Sequence, residues 1–157
     1  MINLHWTNSL MGEMAAPDLF KILKLRSEVF VVEQNCVYLD LDDKDEQCIH
    51  LAGWVNGEVA IYARVIAPNI SYPHAASIGR VCNAMPYRKR GLGKLLMQKA
   101  IELCKKTFGE DCAIKIGAQY YLLDFYQNLG FEQVSDIYLE DGIEHISMLL
   151  NSGADTQ

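Results

Sequence analysis

Four cations and two glycines fall within the seven residues Arg88-Lys89-Arg90-Gly91-Leu92-Gly93-Lys94, at the point where a helical pattern begins. Glycine in the first turn of a helix lets the backbone approach a ligand closely. The unpaired amides there, with the positive end of the helix dipole, suit a phosphate or pyrophosphate. The spacing is not that of the nucleotide P-loop, which needs Gly, four residues and then Gly-Lys-Ser/Thr, nor that of the three-glycine dinucleotide fingerprint. In a solvated surface run of charge, Gly91 and Gly93 would each cost the helix about 1 kcal/mol for no return. The segment is therefore expected to bind an anionic cofactor. A second concentration, Tyr120, Tyr121, Phe125 and Tyr126, offers phenols for proton transfer, although aromatic residues at helical spacing ordinarily pack.

The glycine turn needs a strand before it and a helix after it. Ser77 to Asn83 reads as the strand, and Leu92, Leu95, Leu96, Ala100, Ile101 and Leu103 set an apolar stripe on a helix reaching about Lys106. Cys112 to Gly117 is the next strand. A right-handed crossover of this kind makes the two strands parallel neighbours or near neighbours, with the turn at the carboxyl end of the first, where open sheets bind ligands. Upstream, Ile2 to Thr7 alternates as a short strand, and Ala16 to Glu33 reads as a helix with Pro17 in its first turn. Asp40 to Glu46 is an acidic loop. Cys48 to Val55 and Glu58 to Ile66 form two strands joined by Asn56-Gly57, a strong hairpin signal. Downstream, Tyr120 to Leu129 reads as a short helix closed by Gly130 in a left-handed cap, with Phe131 packing back on it. Phe131 to Ser135 and Ile143 to Leu150 complete a hairpin around Asp141-Gly142. Residues 1–150 are expected to form a single domain, and the small polar tail Asn151 to Gln157 to be disordered.

A chain of 157 residues that is 50% hydrophobic has the length of one domain and can bury a core. Its formal charge of −6 argues against broad nucleic-acid binding. No run approaches the roughly 20 apolar residues of a membrane span. The N-terminus Met-Ile-Asn-Leu-His-Trp lacks the layout of a signal peptide, so a cytoplasmic protein is expected. Cys36, Cys48, Cys82, Cys104 and Cys112 are odd in number and scattered, without a Cys-Cys or Cys-His pairing that suggests zinc. They are expected to be reduced, mostly buried thiols, and no metal is expected.

Three segments in order carry a resemblance. Arg88 to Gly93 looks like the Gln/Arg-x-x-Gly-x-Gly/Ala signature of the GNAT superfamily, the CoA-dependent N-acetyltransferases. The strand at 112–117 follows it. Phe125-Tyr126-Gln127-Asn128-Leu129-Gly130-Phe131 is similar to that family's aromatic-Tyr, three residues, Gly-Phe segment. Leu25 to Gln34 and Asp40-Leu41-Asp42 resemble the ElaA-like branch, and the Arg26 to Phe30 part also resembles acyl-homoserine-lactone synthases. Gln119 stands where the common pattern has Asn, and Leu122 where it often has Ala, a variant read as a marker of that branch. The resemblance implies an α/β (α+β) fold, a central mixed twisted sheet of about six to seven strands flanked by about four helices. It implies acetyl-CoA as cosubstrate, with pantetheine between two splayed strands. Val81, Cys82 and Asn83 would meet the pantetheine and acetyl carbonyl, Arg88 would cap the turn, and Lys89, Arg90, Gly91, Leu92, Gly93 and Lys94 would hold the pyrophosphate. Gln119 would make a further polar contact.

Acetyl transfer by direct attack on a primary amine needs a neutral amine, a stabilised oxyanion and a proton for the leaving thiolate. The resemblance makes Tyr126 the acid. Free phenol and thiol acidities lie only about 1 to 2 units apart, so the proton can be shared. Glu33 is the first candidate for the base; Glu28, His50, His74, Asp40 and His145 stay open. Arg26 and Phe30, four residues apart, could wall the acceptor site with Glu33. The acidic loop favours a cationic small molecule or protein amine. Two alternatives are an acyl-homoserine-lactone-synthase-like acyltransferase and a non-catalytic CoA-binding regulatory module. Assembly as a homodimer is left open.

Overall fold

The computed structural model describes residues 2–151, so the expected tail lies outside the described residues apart from Asn151. One sheet runs through the molecule in the order β1-β2-β3-β4-β5-β8-β6, with β7 also on β8. Its strands are β1 (His5–Ser9), β2 (Ile49–Val55), β3 (Glu58–Ile66), β4 (Ala75–Asn83), β5 (Ala113–Gln119), β6 (Glu132–Gln133), β7 (Tyr138–Glu140) and β8 (Ile143–Leu150). The helices are α1 (Ala16–Ser27), α2 (Leu92–Phe108) and α3 (Leu123–Gln127). All neighbouring strands are antiparallel except β4 and β5. That parallel pair is the one joined by the α2 crossover.

Local chemistry explains most of these elements. Asn56 and Gly57 have φ of 50° and 81°, and Asp141 and Gly142 have 52° and 78°, so both hairpins turn through the left-handed pair that matches strand twist. Gly130, at φ 101°, ends the helical segment, and the Phe131 amide donates back to the Tyr126 carbonyl at 3.1 Å. The sheet is covered on both faces. Leu92, Leu96, Met97, Ala100 and Cys104 of α2 pack with Ile61, Ile114, Ile116, Phe131, Ile146 and Met148. On the other face Ile22, Leu25 and Val29 pack on Ala52, Trp54, Tyr62 and Cys82.

Several boundaries differ from the sequence reading. The first strand begins at His5, not Ile2. The first helix loosens into a π-helical turn over Glu28–Glu33, where β-branched Val29, Val31 and Val32 crowd one segment. Tyr120 to Leu129 divides into a 3-10 turn, Tyr120–Leu122, and the five-residue α3. Leu95 is exposed and leaves the α2 stripe. The expected strand from Phe131 is cut to Glu132–Gln133, and β7 continues the same edge of β8. Between them Ser135 Oγ accepts the Ser147 amide at 2.8 Å, a side-chain bond where the ladder would have a backbone one. Among the described residues the eight strands therefore occupy seven positions, and three α-helices stand where about four were expected.

Candidate active site

Strands β4 and β5 pair only at Ala75↔Ala113 and Ala76↔Ile114. Beyond that point they part, while each keeps its outer partner, β3 and β8. Within the parted stretch β4 carries a bulge. Its register against β3 jumps between Tyr62↔Cys82 and Arg64↔Gly79, so that Arg80 and Val81 together oppose Ala63. Arg80 sits at this bulge with a left-handed φ of 51°. From Ser77 onward β4 turns an unpaired backbone edge toward β5, and buried backbone donors and acceptors demand partners. An extended chain bearing amides can supply them.

Val81, Cys82 and Asn83 lie along this edge. Val81 and Asn83 are half-buried, while Cys82 turns its thiol into the α1 core, where burial pushes it up to about 12. Cys82 can thus serve only through its backbone. The chain then reaches the glycine turn, where Lys89 and Gly91 both adopt left-handed φ, 61° and 75°. Turns with left-handed residues can aim backbone amides into a concavity that suits an anion. No side chain caps α2 at Gly91 and no acidic residue occupies its first turn, leaving its first amides without capping partners. At Gly93 an added Cβ would meet Phe125 at 3.6 Å, an ordinary contact. The fold itself therefore does not demand glycine at 93. Lys89, Arg90 and Lys94 are exposed around the turn.

Tyr126 is 7% exposed on α3, its ring set edge-on to Phe125 and Phe131 at 5.1 and 5.9 Å. Among the described residues its hydroxyl has no hydrogen-bond partner. Burial, and then the Tyr121 phenol, raise its pKa to about 12. Gln119 ends β5, half-buried and paired with His145.

Glu33 and Arg88 meet instead of serving separate halves of the site. Two guanidinium nitrogens of Arg88 donate to the two carboxylate oxygens of Glu33, each at 2.7 Å. Arg88 Nε donates to the Asn83 carbonyl at 3.2 Å, tying the pair to the end of β4. The Arg88 bond holds Glu33 below the usual carboxylate range. While so bound, Glu33 is a weaker base than a free carboxylate, which counts against its first-choice role.

The wider list of candidates separates. Glu28 and His74 are exposed. Asp40 is buried between arginines, His50 is sealed in the core, and Arg26 is fully buried, so none of these lines an open acceptor pocket as expected. His145 lies on the sheet face opposite α2. Its Nδ1–H donates to the Ile143 carbonyl at 2.8 Å, which leaves Nε2 as the lone-pair nitrogen of the neutral ring. Tyr138 stacks on that ring at 6.0 Å, and Glu140 comes within 3.5 Å of Nε2. The Tyr138 and Tyr72 hydroxyls converge over exposed Gly117, where a Cβ would come within 3.0 and 3.7 Å of them. Sequence reading missed this cluster because Tyr72, Gly117 and Tyr138 come from three distant segments.

A family model described as an acetyltransferase (GNAT) domain matches residues 26–152. The chain belongs to this GNAT acetyltransferase family. It is 38% identical over 147 residues to protein ElaA of Escherichia coli strain K12, covering 92% of this chain and 95% of ElaA. The crystal structure of Escherichia coli ElaA superimposes with a TM-score of 0.86 at 37% identity, over 94% of this chain and 99% of that one. An acyl-CoA N-acyltransferase from Pseudomonas aeruginosa gives 0.89 at 35% identity over the same shares. The acyl-homoserine-lactone synthase LasI, at 12% identity and a TM-score of 0.75 over 96% of this chain and 91% of that one, shares the fold alone.

One feature of this GNAT domain escaped the sequence reading altogether. Asp40 and Asp45 of the acidic loop turn inward and Asp42 pairs with Arg64, while Asp43 and Glu46 stay exposed. Arg26 Nε donates to Asp40 at 3.0 Å, and its terminal nitrogens donate to Asp45 at 2.6 and 3.1 Å. Arg64 donates to both oxygens of Asp42, at 2.7 and 3.0 Å, and to Asp45 at 3.1 Å. Burial opposes charge on Asp45, but the hydrogen bonds from Arg26 and the Asp42 amide, with the nearby guanidinium charges, win and bring it down to about 2. The signal was present: Arg64 interrupts an apolar strand, and a buried guanidinium requires carboxylates. The same loop brings Asp45, Cys48 and His50 donor atoms within 4.8 Å of one another, correcting the view that no Cys-His pair is close. Those donors are already committed. Asp45 is held by two arginines, His50 bonds Tyr62 Oη and the Asp45 carbonyl at 2.7 and 2.9 Å, and burial keeps the Cys48 thiol protonated, up at about 11. The five cysteines are free thiols, three of them buried.

Proposed function

We propose that this protein moves an acetyl group from acetyl-CoA to a primary amine by direct attack. The observation that carries the proposal is the parted β4–β5 pair ending in a glycine turn without capping side chains at the start of α2. The open backbone of Val81, Cys82 and Asn83 would bond the pantetheine amides and the thioester carbonyl, and the same amides would meet the oxyanion. Lys89, Arg90, Gly91, Leu92, Gly93 and Lys94 would hold the pyrophosphate, Arg88 would brace the turn through Asn83, and Gln119 would close the far strand. Tyr126 would donate to the departing sulfur. No protein metal is invoked.

With α2 and the cofactor turn on one face, the amine would approach from the other, where Tyr72, Tyr138 and His145 surround Gly117. His145 Nε2 would take the amine proton, and Glu33 would position the amine side of the cleft through its hold on Arg88. Aromatic rings and Glu140 favour a cationic acceptor, small molecule or peptide. Lys115, whose Nζ lies 5.0 Å over the Tyr72 ring, already uses one such face. The test is thiol release from acetyl-CoA by the purified protein against polyamines, amino acids, aminoglycosides and peptides. Amine-dependent release is expected. Tight acetyl-CoA binding with no release across the panel would instead favour a non-catalytic CoA-binding module.

A further inference from the structure

The bulge in the parted stretch of β4 runs against the preference of the residue at its centre. Arg80 has a φ of 51° in mid-strand, a region where a non-glycine residue stays only if its surroundings hold it. The surroundings are specific. Arg80 Nε donates to Asp40 Oδ1 at 2.8 Å, and a terminal nitrogen donates to the Asp40 carbonyl at 2.9 Å. Asp42 Oδ2 lies 3.7 Å from that terminal nitrogen. The Tyr38 ring lies 5.9 Å under the guanidinium, and its hydroxyl donates to Asp40 Oδ1 at 3.1 Å. Asp40 is anchored in turn by buried Arg26, through Oδ2 at 3.0 Å and its carbonyl at 3.1 Å. A continuous hydrogen-bonded path thus joins the base of α1 to the bulge.

We propose that Arg80 is a positioning residue for the acyl donor. Its two-pronged hold on Asp40, and not the backbone preference at 80, keeps the bulge and so turns Val81 to Asn83 toward the cleft. Arg80 acts through β4, without touching the donor. This rests on the acyl-donor reading above. A lysine cannot replace it, because a point charge does not reproduce the planar fork that reaches carboxylate and carbonyl together.

Glycine separates the tether from the backbone. Arg80→Ala and Arg80→Lys keep the strain and lose the fork, whereas Arg80→Gly loses the fork and the strain together. Acetyl-CoA titration calorimetry should find affinity about tenfold weaker in the Ala and Lys variants. The Gly variant should stay within about threefold of wild type, because glycine adopts the left-handed conformation at 80 without a tether. Recovery of affinity by glycine, which has no side chain to hold Asp40, is an outcome that a merely structural arginine would not produce. If Ala does not fold, Lys against Gly carries the comparison. Gly no better than Ala or Lys, or Ala equal to wild type, overturns the proposal. Backbone Cα and Cβ chemical shifts of residues 79–83 read the bulge with no ligand. Loss of the positive-φ signature in Ala and Lys but not in Gly supports the tether even if wild type binds no acetyl-CoA, a result that would overturn only the acyl-donor reading. Retention of the signature in all three variants overturns the tether.

Discussion

Removing one oxygen at Tyr126 separates an acid from a core ring. In Tyr126→Phe the edge-on packing against Phe125 and Phe131 persists, since neither contact uses the hydroxyl. That hydroxyl has no partner among the described residues, so its loss should change stability by less than about 1 kcal/mol. Burial alters the chemistry expected of the free side chain. With the phenol at about 12 and a thiol ordinarily near about 8.5, full proton transfer to a departed thiolate is uphill by roughly 5 kcal/mol. The phenol must therefore act as a hydrogen-bond donor whose proton follows the sulfur as the bond breaks. An acid this weak belongs at the low end of general-acid contributions, about 100-fold or roughly 3 kcal/mol. Steady-state thiol release, acetyl-CoA calorimetry and melting curves on Tyr126→Phe, with Tyr120→Phe and Tyr121→Phe as controls, measure the three quantities separately. Turnover should fall about 100-fold with affinity and melting temperature unchanged. The wild-type rate should also show no alkaline loss assignable to Tyr126 until pH approaches about 12. Turnover within about threefold of wild type, or the same loss in all three variants, would refute the acid role.

Three further outcomes follow from charges in the structure. Glu33→Gln breaks a half-exposed ion pair, worth at most about 1 kcal/mol, so acetyl-CoA affinity and melting temperature should barely move while amine kcat/KM falls; wild-type kcat/KM would leave Glu33 only as a partner of Arg88. Asp45 falls from the 3.8 of a free aspartate to about 2 in the fold, which contributes about 2 kcal/mol. A depressed carboxylate stabilises above its unfolded value, so this share is complete above about pH 4 and is lost as pH drops toward 2. Urea titrations should show that loss, and Asp45→Asn, already destabilised, should show a shallower one. His145→Gln should lower kcat/KM for the amine and leave acetyl-CoA affinity intact; an unchanged kcat/KM would pass the base role to water.

Local signals were legible where one short segment decides the outcome. Asn56-Gly57, Asp141-Gly142, Gly130-Phe131 and the Gly91-Gly93 turn each set their structure from a few neighbouring residues, and each stands where the pattern put it. The parallel β4–β5 pair followed from strand-helix-strand order alone. What escaped depends on partners far apart in sequence. Arg26, Arg64 and Arg80 lie on three elements distant in sequence from the loop that carries Asp40 and Asp45, so a loop with inward-turned carboxylates read as a solvated one. Glu33 and Arg88, 55 residues apart, were assigned to opposite halves of the site although they form one bond. Gly79 beside the bulge was a signal in the strand, but the left-handed residue is Arg80 itself, which no local propensity marks.

The central claim is that acetyl-CoA seats its pyrophosphate on the amides around Gly91 and Gly93. Titration of wild type and Gly93→Glu with acetyl-CoA, followed by calorimetry and thermal shift, tests it most directly. An added side chain at 93 has room within the fold, since its nearest neighbour is Phe125 at 3.6 Å, so the variant should fold. Its carboxylate would occupy the anion position. At a hundredfold excess over Kd, ligand binding adds about 2.7 kcal/mol, or roughly 5 to 10 °C for a chain of this size. The account predicts that shift for wild type and none for Gly93→Glu; no response of wild type to millimolar acetyl-CoA, or an equal response in both proteins, would contradict it.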